Sequence, residues 1–263
     1  APLDGEVSPL GAHENDELLF LFNSGRVETY PVRDIPKHID GSGEDAWTDA
    51  YQTGLRGREE LSSISVITAA PLLQSCVQIS RKGYIRCVTS DYFRMFLSKH
   101  SVGSGVKIKG DELFHLLLCN PEDVLVLISK EGLWFALSVQ NLSPAVAEAI
   151  KLSMDDYLVS AIRITSEDND KAIFIATSSG NFTQLPAGLP GLLKNTAKRG
   201  KKAFTGNNDP VCGAVLVGKE SRIAWLGKDG VLREYSTPAQ LPDGQITAGA
   251  QDNAVTALTV LAD

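Results

Sequence analysis

The sequence predicts an all-β, propeller-like array of about five four-stranded blades. Three observations predict it. An apolar run, two polar residues, a glycine and a second strand-like run recur five times. The copies return at a near-constant period, and a period near fifty in a strand-rich chain signals a propeller-like array. Further short apolar runs between the copies bring each unit to four strands, as in a propeller blade.

The copies are LLFLFNSGRVETYPVRDIP from Leu18, CVQISRKGYIRCVTSDYF from Cys76 to Phe93, VLVLISKEGLWFALSVQNL from Val124, AIFIATSSGNFTQLPAGLP from Ala172 and RIAWLGKDGVLREYSTPAQLP from Arg222. Their glycines, Gly25, Gly83, Gly132, Gly180 and Gly230, are spaced 58, 49, 48 and 50 residues apart. Each follows two polar residues, for example Arg81-Lys82 or Lys130-Glu131. That order fits a type I turn followed by a left-handed residue, the G1 bulge of a hairpin. Glycine takes positive φ there at little cost.

In chain order, residues 1–17 are polar and read as a tail or linker, leaving 18–263 as one domain. Leu18 to Pro36 is the first hairpin. A loop follows at 37–60, acidic and then basic at Arg56 and Arg58. Ile64 to Leu73 is a β-branched strand leading into the second hairpin. GVKIK (105–109) and DELFHLLLC (111–119) are two strands grouped with the hairpin that follows them. AIKLS (149–153) and YLVSAIRI (157–164) repeat this before the fourth hairpin, and KKAF (201–204) and VCGAVLV (211–217) before the fifth. The chain ends in AVTALTVLAD with no hairpin after it, and the first hairpin has no such strand before it. The last strand is therefore expected to complete the first blade and close the ring, which removes open sheet edges. SPAVAEAIKLSM (143–154) predicts a helical turn with Ser143 as N-cap and Pro144 at the first position.

Composition sets limits on function. The 263 residues are 43% hydrophobic and 22% charged, an ordinary globular balance with ample length for a core. No apolar run approaches the roughly 20 residues that span a bilayer, and residues 1–10 lack the features of a secretory leader. Cys76, Cys87, Cys119 and Cys212 form no CxxC pair, which argues against zinc and for buried, reduced thiols. Cys76 and Cys87 flank one hairpin, so a disulfide there is the lesser alternative. The histidines, His13, His38, His100 and His115, are scattered, and His115 in its apolar strand reads as a core residue. No Ser-His-Asp order, P-loop or metal-ligand spacing is present, so no catalytic residue, metal or cofactor is assigned. The net charge of −7 is local: residues 1–60 hold 13 acids and 5 bases, and the remainder is nearly balanced. It does not argue against a polyanionic partner elsewhere on the surface.

The repeats resemble the C-terminal domain of the A subunit of bacterial type IIA topoisomerases, DNA gyrase and topoisomerase IV. ISRKGYIRCVTSDYF, ISKEGLWFALSVQNL and LGKDGVLREYSTPAQL are similar to that family's strand, turn, glycine, strand signature. GSGVKIKGDELFHLLL resembles its inter-hairpin segment, and TGLRGREELSSISVITA the corresponding segment of topoisomerase IV. The resemblance covers roughly residues 14–263. It implies a β-pinwheel whose blades exchange strands and whose outer rim binds double-stranded DNA. It also implies an upstream cleavage–religation domain, an ATPase subunit, and a cytoplasmic, nucleoid-associated setting without a membrane. The glutamine-arginine-arginine-glycine-glycine-lysine-glycine box of gyrase is not present. Of the positions three after each hairpin glycine, only Arg86 and Arg233 are basic. These departures argue against strong wrapping and favour a topoisomerase-IV-like or degenerate member that binds or bends DNA weakly.

The expected DNA contacts follow charge placement. KNTAKRGKK (194–202) has five bases and no acid: Lys194, Lys198, Arg199, Lys201 and Lys202. Lysine and arginine displace the counterions condensed on DNA, and a glycine-punctuated basic loop suits backbone contact without base reading. Lys99, Lys107 and Lys109, with Arg56 and Arg58, occupy comparable loops of other units. Arg86 and Arg233 lie on hairpin strands, facing either DNA or solvent. The competing function class is a protein-interaction propeller that uses its acidic first unit.

Overall fold

The computed structural model describes residues 12–35, 59–67, 75–102, 106, 110–188, 199–204, 209–227, 231–236, 246–247 and 255–260. Five antiparallel sheets are built on five hairpins. The hairpin strands are β1 (Glu17–Phe22) with β2 (Val27–Pro31), β4 (Ser75–Ser80) with β5 (Tyr84–Thr89), β7 (Val124–Ser129) with β8 (Leu133–Ser138), β11 (Ala172–Thr177) with β12 (Asn181–Pro186), and β15 (Arg222–Gly227) with β16 (Leu232–Ser236). The strand that follows each hairpin returns to pair with the hairpin's first strand: β3 (Leu61–Ile67), β6 (Leu113–Cys119), β10 (Leu158–Ile164), β14 (Val211–Val217) and β18 (Val255–Val260). Each return strand carries a register shift near the turn end of its hairpin.

A short outermost strand completes three of the sheets: β9 (Ala147–Glu148) on β5, β13 (Lys201–Lys202) on β8 and β17 (Ile246–Thr247) on β12. Each is donated by the connection that follows the next hairpin in the chain. In the first sheet the equivalent contact is a single bridge between Arg26 and Ser101. The first and fifth sheets have three strands among the described residues.

This grouping corrects two expectations. The strand at 111–119 belongs to the hairpin before it, not the one after it. The link from β6 to β7 spans only residues 120–123, and it steps from one sheet to the next instead of turning within one. The terminal strand β18 completes the fifth sheet by pairing with β15, while β1 takes β3. Ring closure by the terminal strand is therefore overturned. Successive return strands pack against one another from β3 through β6, β10 and β14 to β18, but no comparable contact joins β18 to β3 among the described residues.

The first strands of the three middle hairpins are apolar on both faces because their sheets are sandwiched between neighbours. Leu125 and Leu127 of β7 pack toward the second sheet, whereas Val124, Val126 and Ile128 pack toward the fourth. On β11, Ile173 and Ile175 face the third sheet, and Ala172, Phe174 and Ala176 face the fifth.

Two local expectations also change. The second hairpin ends at Thr89, and Ser90–Ser98 form a helix, α1. Phe93 and Phe96, one turn apart, bury against Leu19, Leu21, Cys76 and Val88. The helix ends in a Schellman motif, with His100 N–H donating to Leu97 O and Ser101 N–H to Phe96 O, both at 3.0 Å. His100 holds the left-handed position at φ 50. Residues 143–154, by contrast, hold no helix: β9 lies there, and Ala149 N–H donates to Gly83 O at 2.9 Å. Docking against the second sheet overrides the helical pattern. The segments AIKLS and KKAF contribute only β9, just ahead of the first, and the two residues of β13.

The turns behave as expected. Gly25, Gly83, Gly132 and Gly180 have φ between 76 and 86, and each N–H donates to the carbonyl three residues back. Gly230 lies outside the described residues. The four cysteines are free. Cys76 stands across from Val88, and Cys87 from Val77, so the two thiols point to opposite faces of the sheet. Burial pushes the Cys212 thiol up to about 12. His115 is half-buried and not part of the apolar core: its Nδ1 is 3.3 Å from Ser65 Oγ, and burial, aided by nearby Arg81, pulls it down to about 4.

Candidate nucleic-acid interface

The outer edges of the second and third sheets are each set by a short strand and an apolar residue buried just after it. On the third sheet the anchor is Phe204, buried after β13, and Ala203 N–H donates to Gly132 O at 2.9 Å. β13 itself is exposed, with Lys201 across from Trp134 and Lys202 across from Leu133. Lys201 Nζ lies 5.8 Å from the Trp134 ring centroid, and Lys202 Nζ donates to Glu131 O at 2.7 Å. Gly200 introduces the strand at φ 67, where a Cβ would stand 3.0 Å from Trp134 O. That close approach leaves no room for a side chain. Arg199, just before it, is exposed.

The structure thus gathers Arg199, Lys201 and Lys202 on one edge. The equivalent edges carry Ala147–Glu148 on the second sheet and Ile246–Thr247 on the fourth, so the basic character is local to the third. Lys99 is exposed at the C-terminus of α1, apart from this edge. Arg86 is half-buried and donates from Nε to Gln78 Oε1 at 2.8 Å; burial lowers its pKa. Arg233 is half-buried across from Trp225, and its Nη1 donates to Val231 O at 3.2 Å. Lys107, Lys109, Arg56, Arg58, Lys194 and Lys198 lie outside the described residues.

The turn end of the sheets carries a second set of cations, all engaged. Arg81 lies over the Phe114 ring at 4.2 Å, donates to Leu158 O at 3.1 Å and pairs with Glu112 at 3.4 Å. Lys82 Nζ donates to Met154 O and Asp156 O at 2.6 and 2.8 Å. Arg81, Lys82 and Glu112, with Gly110, Asp111 and Tyr157, line a cleft of about 480 Å³. A carboxylate two residues before each of the first four return strands holds the turn of its own sheet: Glu59 toward Ser24, Asp111 toward Lys82 N, Asp156 toward Glu131 N and Asp209 toward Ser179. Charge runs and motifs do not reveal this repeat; its signal in the sequence is the acidic residue at that fixed offset, Glu59, Asp111, Asp156 and Asp209. Among the described residues, no group of three or more His, Cys, Asp or Glu could hold a metal. No described helix is long and apolar enough to cross a membrane.

Comparison with solved structures decides the fold. A DNA gyrase A C-terminal domain superposes with a TM-score of 0.69 at 16% identity, covering 95% of this chain and 84% of that one. The C-terminal domain of a DNA topoisomerase IV gives 0.65 at 18% identity, covering 94% and 79%. The C-terminal domain of E. coli ParC gives 0.58 at 12%, covering 94% and 98%. The chain folds as a β-pinwheel. No family model matches the sequence, and no curated protein matches it. In pinwheel terms the five sheets are blades, the return strands β3, β6, β10, β14 and β18 pack one against the next, and the outermost strands β9, β13 and β17 mark the rim.

Proposed function

We propose that this β-pinwheel binds double-stranded DNA without sequence preference, as the accessory C-terminal domain of a type IIA topoisomerase A subunit. The observation that carries this reading is the third blade's rim. Arg199, Lys201 and Lys202 stand exposed together on a fold shared with gyrase A and topoisomerase IV C-terminal domains. Such a rim contributes substrate geometry by bending or wrapping the duplex. Cleavage and religation fall to an upstream domain, and ATP hydrolysis to a partner subunit, in the cytoplasm at the nucleoid. Phosphate contacts by lysine and arginine carry no base information, so affinity is set by charge and salt.

Fluorescence anisotropy on two unrelated duplexes at several salt concentrations tests this. Wild-type affinity is expected to fall steeply with salt and equally on both duplexes. Replacing Arg199, Lys201 and Lys202 with alanine should flatten the log–log salt slope by about 0.9 per lost contact. Absence of salt-dependent binding by the wild-type chain would refute the reading and favour a protein-binding propeller.

A further inference from the structure

The rims of the second and third blades meet at one buried residue, Ile150, which is 0% exposed. A Cβ on Gly83 would stand 2.7 Å from Ile150 Cγ2, and one on Gly200 would stand 3.3 Å from Ile150 Cδ1. Ile150 thus wedges between the turn of the second blade and the start of the third blade's rim strand. Lys151 follows Ile150 directly in the chain, and Arg199 directly precedes Gly200. Both are exposed. Neither has a hydrogen-bond or ion-pair partner among the described residues, whereas Lys82, Lys201 and Lys202 are engaged with carbonyls or an aromatic ring. The acids near the seam are Glu131, whose Oε1 takes the Ser153 hydroxyl at 3.1 Å, Glu148 on β9, and exposed Asp155.

We propose that Lys151 and Arg199 form a phosphate-contact subsite across the seam between the second and third blades. It carries a duplex from one rim to the next, and it rests on the reading that the rim binds DNA. Lys151 lies outside the basic loop at 194–202, so charge runs in the sequence do not reveal it. The fold brings it there by seating Ile150 against two glycines from different blades. Two cations rooted beside one buried residue, with no partner among the described residues, meet a polyanion without first breaking a contact seen there. The engaged lysines of the same region must give up a carbonyl or ring contact before they can bind.

The experiment compares the whole chain with Lys151→Ala, Arg199→Ala, the double variant and Lys151→Arg, by anisotropy on a labelled duplex across a salt series. Lys219→Ala is the control. It lies between β14 and β15, at the opposite end of the sheets from the glycine turns. Each single alanine should flatten the log–log slope by about 0.9 and weaken binding roughly five- to tenfold near 0.1 M salt, and the double by about twice that slope. Lys151→Arg and Lys219→Ala should match wild type. Matching melting temperatures confirm that each variant is folded. If wild type binds with a steep salt slope while Lys151→Ala keeps both affinity and slope, the seam subsite is wrong and the DNA reading stands. If wild type shows no salt-dependent binding, both fall.

Discussion

In the third blade the turn Lys130-Glu131-Gly132 is closed by Ser129, whose buried hydroxyl accepts the Leu133 N–H at 3.2 Å. Ser80 and Thr177 do the same in the second and fourth blades. In the first blade that position is Phe22, and an ion pair takes over. Arg26, 6% exposed, donates from Nε and Nη2 to Glu59 Oε2 at 2.9 and 2.6 Å, contacts Glu28, and lies 3.8 Å over the Phe22 ring. The hydrogen bond to Glu59 holds the Arg26 guanidinium above its ordinary pKa. The rims differ as well: the third blade has a basic strand, while α1 fills the connection that would otherwise give the first blade its rim strand. A hydroxyl closes a turn from within its own hairpin. The ion pair works only when Glu59, from the far side of a long connection, is docked. Both turns also take a carboxylate from the connection ahead of the return strand, Glu59 in the first blade and Asp156 in the third, but the first adds a buried arginine to it, so the first turn depends more heavily on charge.

The largest expected effect breaks that ion pair. Arg26→Met leaves Glu59 buried without its partner and should cost about 3–5 kcal/mol in urea unfolding, whereas Arg26→Met with Glu59→Leu should recover most of the loss. Equal loss in the single and double variants would show that shape, not charge, closes the first turn.

Acid should act on the same side of the molecule. His115, on β6, contacts Ser65 of β3, and Arg81 is the charged group that faces it. Its folded pKa of about 4 lies below the ordinary value of 6.5, so the fold holds the neutral ring. Its contribution is complete above about pH 6.5 and is lost as pH falls toward 4, at no more than about 1.4 kcal/mol per pH unit. Thermal melting between pH 7 and 4.5 should show this decline, and His115→Asn should flatten it.

Ser129→Ala in the third blade should cost about 1–3 kcal/mol, less than Arg26→Met, because one neutral hydrogen bond is lost. A cost matching that of Arg26→Met would erase the contrast between the two blades. The smallest effect is a gain. His100→Gly relieves a non-glycine residue at φ 50 and should stabilise the chain by about 1 kcal/mol, read as a raised melting temperature.

Much of the repeat is written locally. The five glycine turns and the doubly buried first hairpin strands are legible because positive φ and continuous apolar runs are properties of short segments. DELFHLLLC reads plainly as a strand, but nothing in its residues says which hairpin it joins. Its short link to β7 suggested the wrong one. Likewise SPAVAEAIKLSM has helical character, yet Gly83 and β5 recruit its backbone. In the basic loop, composition marked Arg199, Lys201 and Lys202, while the seam position of Lys151 has no sequence signal.

The sequence by itself determined where the chain turns, how many hairpins it makes and which strands are apolar on both faces, since these follow from glycine's conformational freedom and from hydrophobic patterning. Only the tertiary structure decided which strands pair, that the last strand ends the fifth blade, and which cations remain unpaired. Backbone hydrogen bonds carry no address. The partner of a strand is chosen by the packing of whole sheets, and the freedom of a charge by what that packing brings beside it.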